Sequence, residues 1–375
     1  MKASPQLAFG HAVNDLFVYS IYGLLPAFTI LFNLSYLLAG LVAMVFNVTS
    51  SILQPLVGRW FDRTQAVWLL EGGLALNCVG MALVGVSPNY LILLFLVGTA
   101  GLGSAAFHPP GFSAVVKSGE TSKGGAMGVF LSAGNVGIFL GPIVGGALVS
   151  RFGLSGTLIF LPIGVLAVLL LLSRGKTVSA KVQGPGSSTK SAADKGLIAL
   201  LAIITGLRSF TIQPAITFLP LFFVATGDSL LLATAIASFW LGAAVLGQLG
   251  GGVISDRLGS RPVIVVSLLA GGVLFYGFLI TKGILSLFLL GISGAALYAN
   301  WSVIVVRSTE AAPSNVGAVS GFMLGFFIGI GGLASIVFGG VADMIGLRST
   351  FLLFAVFAVV GGFLALLLPK GTRAA

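Results

Sequence analysis

Long apolar runs, separated by short polar or glycine-bearing breaks, repeat along the whole chain. They fall at Leu7–Phe32, Tyr36–Val57, Val67–Val86, Tyr90–Val116, Ala126–Val149 and Thr157–Leu172. A second set follows at Leu197–Ala225, Leu230–Ile254, Val263–Ile280, Ile284–Val306, Val316–Val341 and Phe351–Leu368. Runs of this length match a hydrocarbon layer ~30 Å thick when wound as helix. The short alternating segments of a membrane β-barrel are missing from the pattern. The expected fold class is an all-α integral membrane protein with twelve transmembrane helices.

The longest polar stretch, Ser173–Lys195, is rich in Gly, Ser and Lys and lies midway. It reads as a flexible cytoplasmic linker. The domains are then an N-terminal six-helix half over 1–172, the linker over 173–195 and a C-terminal half over 196–375. A single offset of 194 relates the halves. It carries Pro26 to Pro220, Gln54 to Gln248, Gly58 to Gly252, Asp62-Arg63 to Asp256-Arg257 and Gly145-Gly146 to Gly339-Gly340. Generic hydrophobicity does not align polar and glycine positions in one register, so the halves are pseudo-symmetric repeats.

Composition agrees: 57% of residues are hydrophobic and 7% charged, against roughly 25% charged in a soluble domain. The net charge of +10 suggests nucleic acid until its distribution is followed. With the N-terminus in the cytoplasm, the outer loops hold only Arg151, Lys282 and Arg348, and Arg208 is intramembrane. The remaining Lys and Arg residues lie on the cytoplasmic side, the positive-inside asymmetry. Both termini are therefore expected in the cytoplasm, the protein in the cell inner (plasma) membrane, and no nucleic acid as partner. The first apolar run is too long and too polar for a cleavable signal. One cysteine, Cys78, excludes an internal disulfide and a multi-cysteine metal site. Gly175-Lys176-Thr177 lacks the glycine of a phosphate-binding loop, Leu170 standing in its place, so ATP is not the expected energy source. No cofactor, resident metal or catalytic residue is expected, and the chain is read as a monomeric transporter rather than an enzyme.

Two parallel six-helix repeats are the plan of a major facilitator transporter, and two motifs resemble that superfamily's. The loop Gly252-Val-Ile-Ser-Asp256-Arg257-Leu-Gly259-Ser-Arg261 resembles its cytoplasmic gating signature, with a degenerate copy at Gly58, Asp62 and Arg63. An Asp there can meet a neighbouring helix N-terminus. Gly128, Gly137, Gly141-Pro142 and Gly145-Gly146 match the superfamily's antiporter pattern. That resemblance implies an exchanger, usually a proton-driven exporter. More closely the chain resembles the fosmidomycin-resistance branch. The segments that carry this are His11-Ala-Val-Asn14-Asp15, Ser51-Ile-Leu-Gln54-Pro55-Leu-Val-Gly58, Gly103-Ser-Ala-Ala-Phe107-His108-Pro109, Gly317-Ala-Val-Ser320-Gly321 and Gly331-Gly332. One departure stands out: the branch commonly places an acidic residue after His-Pro, and here it is Pro110.

Three ionisable side chains fall deep inside apolar runs: Asp15, His108 and Arg208. An ionised residue at that depth costs roughly 2.5–3.5 kcal/mol on insertion scales. Helical rise places them roughly 13, 12 and 16 Å from the cytoplasmic ends of their helices. His11 sits one turn before Asp15. Each has a plainer alternative: a static Asp15–Arg208 ion pair, a His108 tied to a carbonyl beside its prolines, a His11 wet in the headgroup layer. Asn300 and Trp301 are either cavity lining or core.

The functional expectation is proton-coupled antiport by alternating access, exporting a small organic, anionic compound or drug. Asp15, His11 and His108 would carry protons; Arg208, with Asn14, Asn300 and Trp301, would bind substrate, since a guanidinium suits phosphonate, phosphate or carboxylate. If Arg208 leaves Asp15 for the substrate, the carboxylate takes a proton. The expected partners are substrate, protons and the bilayer. Proton-coupled uptake of an organic anion is the alternative, and divalent-metal transport through His11, Asp15 and His108 a further one.

Overall fold

The computed structural model describes residues 5–64, 66, 68–116, 123–173, 193–313 and 315–369. The stretch 174–192, nearly all of the expected linker, lies outside them, as does the Asp62 side chain. Among the described residues every regular element is helical. Twelve helices are long and apolar enough to cross a membrane. They are α1 Pro5–Leu31, α2 Tyr36–Phe61, α3 Trp68–Val86, α4 Tyr90–Val115, α5 Gly125–Phe152 and α6 Leu154–Ser173. The rest are α7 Lys195–Ala225, α8 Leu230–Leu258, α9 Ser260–Ile280, α10 Gly283–Glu310, α11 Ala318–Ile345 and α12 Leu347–Leu367. The apolar runs locate all twelve. Several helices extend past them through charged residues: α8 continues through Asp256-Arg257 and α10 through Arg307. A helical backbone satisfies its own hydrogen bonds, so the helix outlasts its apolar stretch.

The chain divides into two compact units. One comprises Met1–Leu34, Leu41–Gly184 and Phe223–Ser238; the other comprises Ser35–Gly40, Pro185–Phe222 and Phe239–Ala375. In the first, α1 and α5 run against each other along small residues spaced four apart. Gly137 faces the Ala12 carbonyl and Leu16 N–H, Gly141 faces Tyr19 and Ser20, and Gly145 faces the Ser20 carbonyl. Such spacing lets backbones meet where no hydrophobic effect draws helices together. The Pro142 carbonyl lies where a Gly23 side chain would stand. On α3 and α4, Gly73 and Gly103 bring the two backbones together beside Asn77. In the second unit, Gly247 and Gly251 of α8 pack on the Ala295 and Ala299 carbonyls of α10. Helix α10 is interrupted at Asn300, between Ala299 and Trp301.

Candidate functional site

In the first unit α1 carries His11 and Asp15 one turn apart on one face, both buried at 4% and 7% exposure. His11 is thus packed within the protein rather than wet. Its Nε2 lies 3.3 Å from Asp15 Oδ2, and His108 Nε2 from α4 lies 3.4 Å from Asp15 Oδ1. The carboxylate therefore bridges two imidazoles.

The outer nitrogens of both rings are fixed. His11 Nδ1 is 2.7 Å from the Phe130 carbonyl, and His108 Nδ1 is 2.9 Å from the Ser104 carbonyl. A carbonyl only accepts, so each Nδ1 carries hydrogen and donates. This leaves each Nε2 as the exchangeable position, turned to Asp15. The carbonyl alternative for His108 is thus half right: one nitrogen is tied down and the other meets the carboxylate. The His11 ring also stacks on Phe130 at 4.1 Å and meets His108 edge-on at 5.3 Å.

Helix α5 closes the cluster with a residue that the glycine pattern did not single out. A methyl at Gly134 would lie 2.5 Å from His11 Cε1 and 2.8 Å from Asp15 Oδ2. Within the expected antiporter motif, Gly137, Gly141 and Gly145 press on α1, whereas a methyl at Gly128 would meet open space. Gly146 faces Thr234 instead. Two polar residues were also missed. Asn77 on α3 and Ser104 on α4 both hydrogen-bond Asn14, and their only trace in the sequence is a polar side chain within an apolar run. Asn14, expected on substrate, spends its whole amide on Asp15, Ser104 and Asn77.

Arg208 of α7, fully buried in the second unit, meets rings rather than a carboxylate. Its Nε donates to the Leu297 carbonyl at 3.2 Å. Its guanidinium carbon lies 5.1, 5.0 and 4.6 Å from the ring centroids of Tyr298, Trp301 and Phe327. Nη1 and Nη2 have no hydrogen-bond partner among the described residues. Within its own unit Asp15 is held by histidines, and within the other Arg208 is held by aromatic faces. Asn300 donates to the same Leu297 carbonyl at 3.1 Å and to Ser267 Oγ at 2.9 Å, leaving its Oδ1 without a partner. Thr205 Oγ1, one turn before Arg208, is also unpartnered. Of these neighbours the sequence reading named Trp301 and Asn300 but not Tyr298, Phe327 or Thr205.

Of the gating residues, Asp256 and Arg257 are exposed, a methyl at Gly252 would meet Ser302 Oγ at 3.6 Å, and Arg261 donates to the Leu366 carbonyl at 2.5 Å. In the degenerate copy a methyl at Gly58 would meet Pro109 at 3.7 Å, and Arg63 is exposed.

Twelve helices long and apolar enough to cross a membrane, with ionisable side chains buried within them, define a multi-pass membrane protein. The profile of the Major Facilitator Superfamily matches residues 7–322 and 198–375, and the chain belongs to that family. It is 28% identical to an MFS-type transporter of Bacillus subtilis, YfnC, over 97% of this chain and 91% of that protein. It is 26% identical to the Fosmidomycin resistance protein of Escherichia coli, again over 97% and 91%. Among solved structures, a bacterial homologue of the human lysosomal transporter Spinster superimposes with a TM-score of 0.83 at 18% identity, covering 96% of this chain and 95% of that one.

Proposed function

We propose that this transporter is a proton-coupled antiporter that exports a small organic anion or drug by alternating access. One observation carries the reading: a membrane-buried carboxylate shared by two histidines whose Nδ1 atoms are already committed to carbonyls. Each Nε2–carboxylate contact is attractive only when a proton lies in it. The cluster therefore stores and passes protons, and its packing changes when one leaves.

Arg208 supplies the other half. Four guanidinium N–H donors, buried without acceptors, fit the oxygens of a carboxylate, phosphate or phosphonate. The aromatic faces hold the charge meanwhile by cation–π attraction, and Trp301 and Asn300 complete the substrate contacts. Export of a drug also agrees with the resistance named for the Escherichia coli relative. Small packing residues on α5 and the exposed Asp256-Arg257 pair at the end of α8 fit a protein that rocks between states, in the inner membrane with both termini cytoplasmic and working as a monomer.

The test uses purified protein in proteoliposomes holding a pH-sensitive dye under an imposed proton gradient. Addition of phosphonates should move protons opposite to substrate, with Asp15→Asn abolishing coupling and Arg208→Ala abolishing substrate response. Movement in the same direction would replace antiport by symport. Proton-independent transport, or a response confined to divalent cations, would refute the reading.

A further inference from the structure

The hydrogen bonds behind Asp15 have a fixed polarity, and it starts from a backbone carbonyl. Asn77 of α3 is wholly buried. Its Nδ2 lies 3.1 Å from the Asn14 backbone carbonyl and 2.9 Å from Asn14 Oδ1. The backbone carbonyl only accepts, so the Asn77 atom facing it must be the nitrogen. That nitrogen also donates to the Asn14 side chain, which therefore turns its oxygen to Asn77. The Asn14 nitrogen must then face the other way, and it does, donating to Asp15 Oδ1 at 2.9 Å and Ser104 Oγ at 3.3 Å. Neither amide can flip without setting two acceptors against each other.

The register of this relay is set by packing. Gly103 of α4 stands so near the Asn77 backbone N–H that any side chain there would collide with it, and a side-chain carbon at Gly73 would lie 2.7 Å from the Gly103 carbonyl oxygen. Helix α3 is thus pressed onto α4 at the level of Asn77, which holds the Asn77 amide against Asn14.

We infer that Asn77 is a positioning residue which, through Asn14, makes the two Asp15 oxygens unequal and confines the transported proton to the Oδ2 side, against His11. The inference rests on the proton-carrying reading of Asp15. Oδ1 permanently accepts an amide N–H and takes the role of carbonyl oxygen in the protonated acid. Oδ2 faces only His11 Nε2, at 3.3 Å. The proton between them is either on Oδ2, donating to neutral imidazole, or on Nε2, donating to carboxylate; the transfer moves one proton and needs no other reactant. The titratable groups that meet Asp15 are His11 on its own helix and His108 on α4; α5 presents glycine there and α3 presents the amide of Asn77.

The test is infrared difference spectroscopy of the purified protein across a pH titration, paired with the pH profile of phosphonate-driven proton movement. The carboxylic C=O band of protonated Asp15 is assigned by its loss in Asp15→Asn. In Asn77→Ala the C=O loses the oriented amide donor, so the band should move to higher wavenumber. The midpoint of the transport profile should rise by about one pH unit, since a donor to the charged form is removed. Asn77→Asp, nearly the same shape, frees Asn14 to turn its oxygen towards Asp15 and should shift both readouts further in the same direction. It also replaces Asn77→Ala should that variant fail to fold. An Asp15 band and a profile unmoved in folded Asn77→Asp would overturn the inference and leave the proton reading standing. Absence of any Asp15 band in the parent protein would overturn both.

Discussion

Asp343, in the last turn of α11, caps the start of α2 through Tyr36. Its Oδ1 accepts the Tyr36 N–H at 2.7 Å and its Oδ2 the Leu37 N–H at 2.9 Å. Two close approaches lead up to this cap. Gly339 sits against the Tyr36 carbonyl, and Gly40 against that of Ser335, so backbone meets backbone along the seam. The local sequence Gly339-Gly-Val-Ala-Asp343-Met-Ile-Gly346 has the spacing of Gly252-Val-Ile-Ser-Asp256-Arg-Leu-Gly259. In both, the last glycine takes a positive φ, 79° at Gly346 and 89° at Gly259, and starts the next helix.

An acceptor at a helix start satisfies N–H groups that have no partner within the helix, and its loss costs about 1 kcal/mol. Asp343→Ala is therefore expected to lower the unfolding temperature in detergent by a few degrees. Asp343→Asn, which keeps one acceptor oxygen, should lose less. Equal melting of all three proteins would show that the cap contributes nothing.

The wall formed by Gly134 makes a sharper prediction. A single methyl there has no space between His11 and Asp15 Oδ2, and the first thing displaced is the His11–Asp15 contact proposed to share the proton. Gly134→Ala should insert and bind detergent normally yet lose proton coupling by tenfold or more, since small displacements at a reacting pair are costly. Gly128→Ala, with open space around it, should retain wild-type folding. If Gly134→Ala transports with unchanged coupling, the His11–Asp15 contact is not part of the proton path.

These residues also mark where sequence reasoning stopped. Helix number and placement were legible because burial in lipid demands long apolar runs, and Asp15, His11 and His108 stood out because charge there is costly. Which of them pair was less legible. The repeat register aligns Arg208 with Asn14 but says nothing about where a long, flexible side chain turns, and it turned to Tyr298, Trp301 and Phe327. Asn77 and Gly134 carry no signal of their own. A buried asparagine or a glycine in an apolar helix is ordinary until another helix, about sixty or a hundred and twenty positions away along the chain, is packed against it. Asp343 repeats a visible spacing, yet only its contact with the Tyr36 and Leu37 amides gives that spacing a purpose.

Arg208 makes the last prediction, because its place in the fold and its proposed role in binding pull in opposite directions. As part of the fold it is a liability. A guanidinium is buried with two nitrogens lacking acceptors, and three aromatic rings offset only part of that, each contributing on the order of 1–2 kcal/mol. Replacing an uncompensated buried charge by an apolar side chain of similar length is often stabilising. Arg208→Met is therefore expected to raise the unfolding temperature. As part of the substrate site it should be indispensable, with phosphonate affinity falling about 10- to 100-fold for the loss of charge-assisted hydrogen bonds. Arg208→Lys keeps the charge but not the planar fork and should fall between, recovering neither full affinity nor the added stability. Phosphonate should also raise the unfolding temperature of the parent protein, and leave that of Arg208→Met where it is. A less stable Arg208→Met, with phosphonate still stabilising it, would mean that the guanidinium is held for packing and that the anion binds elsewhere.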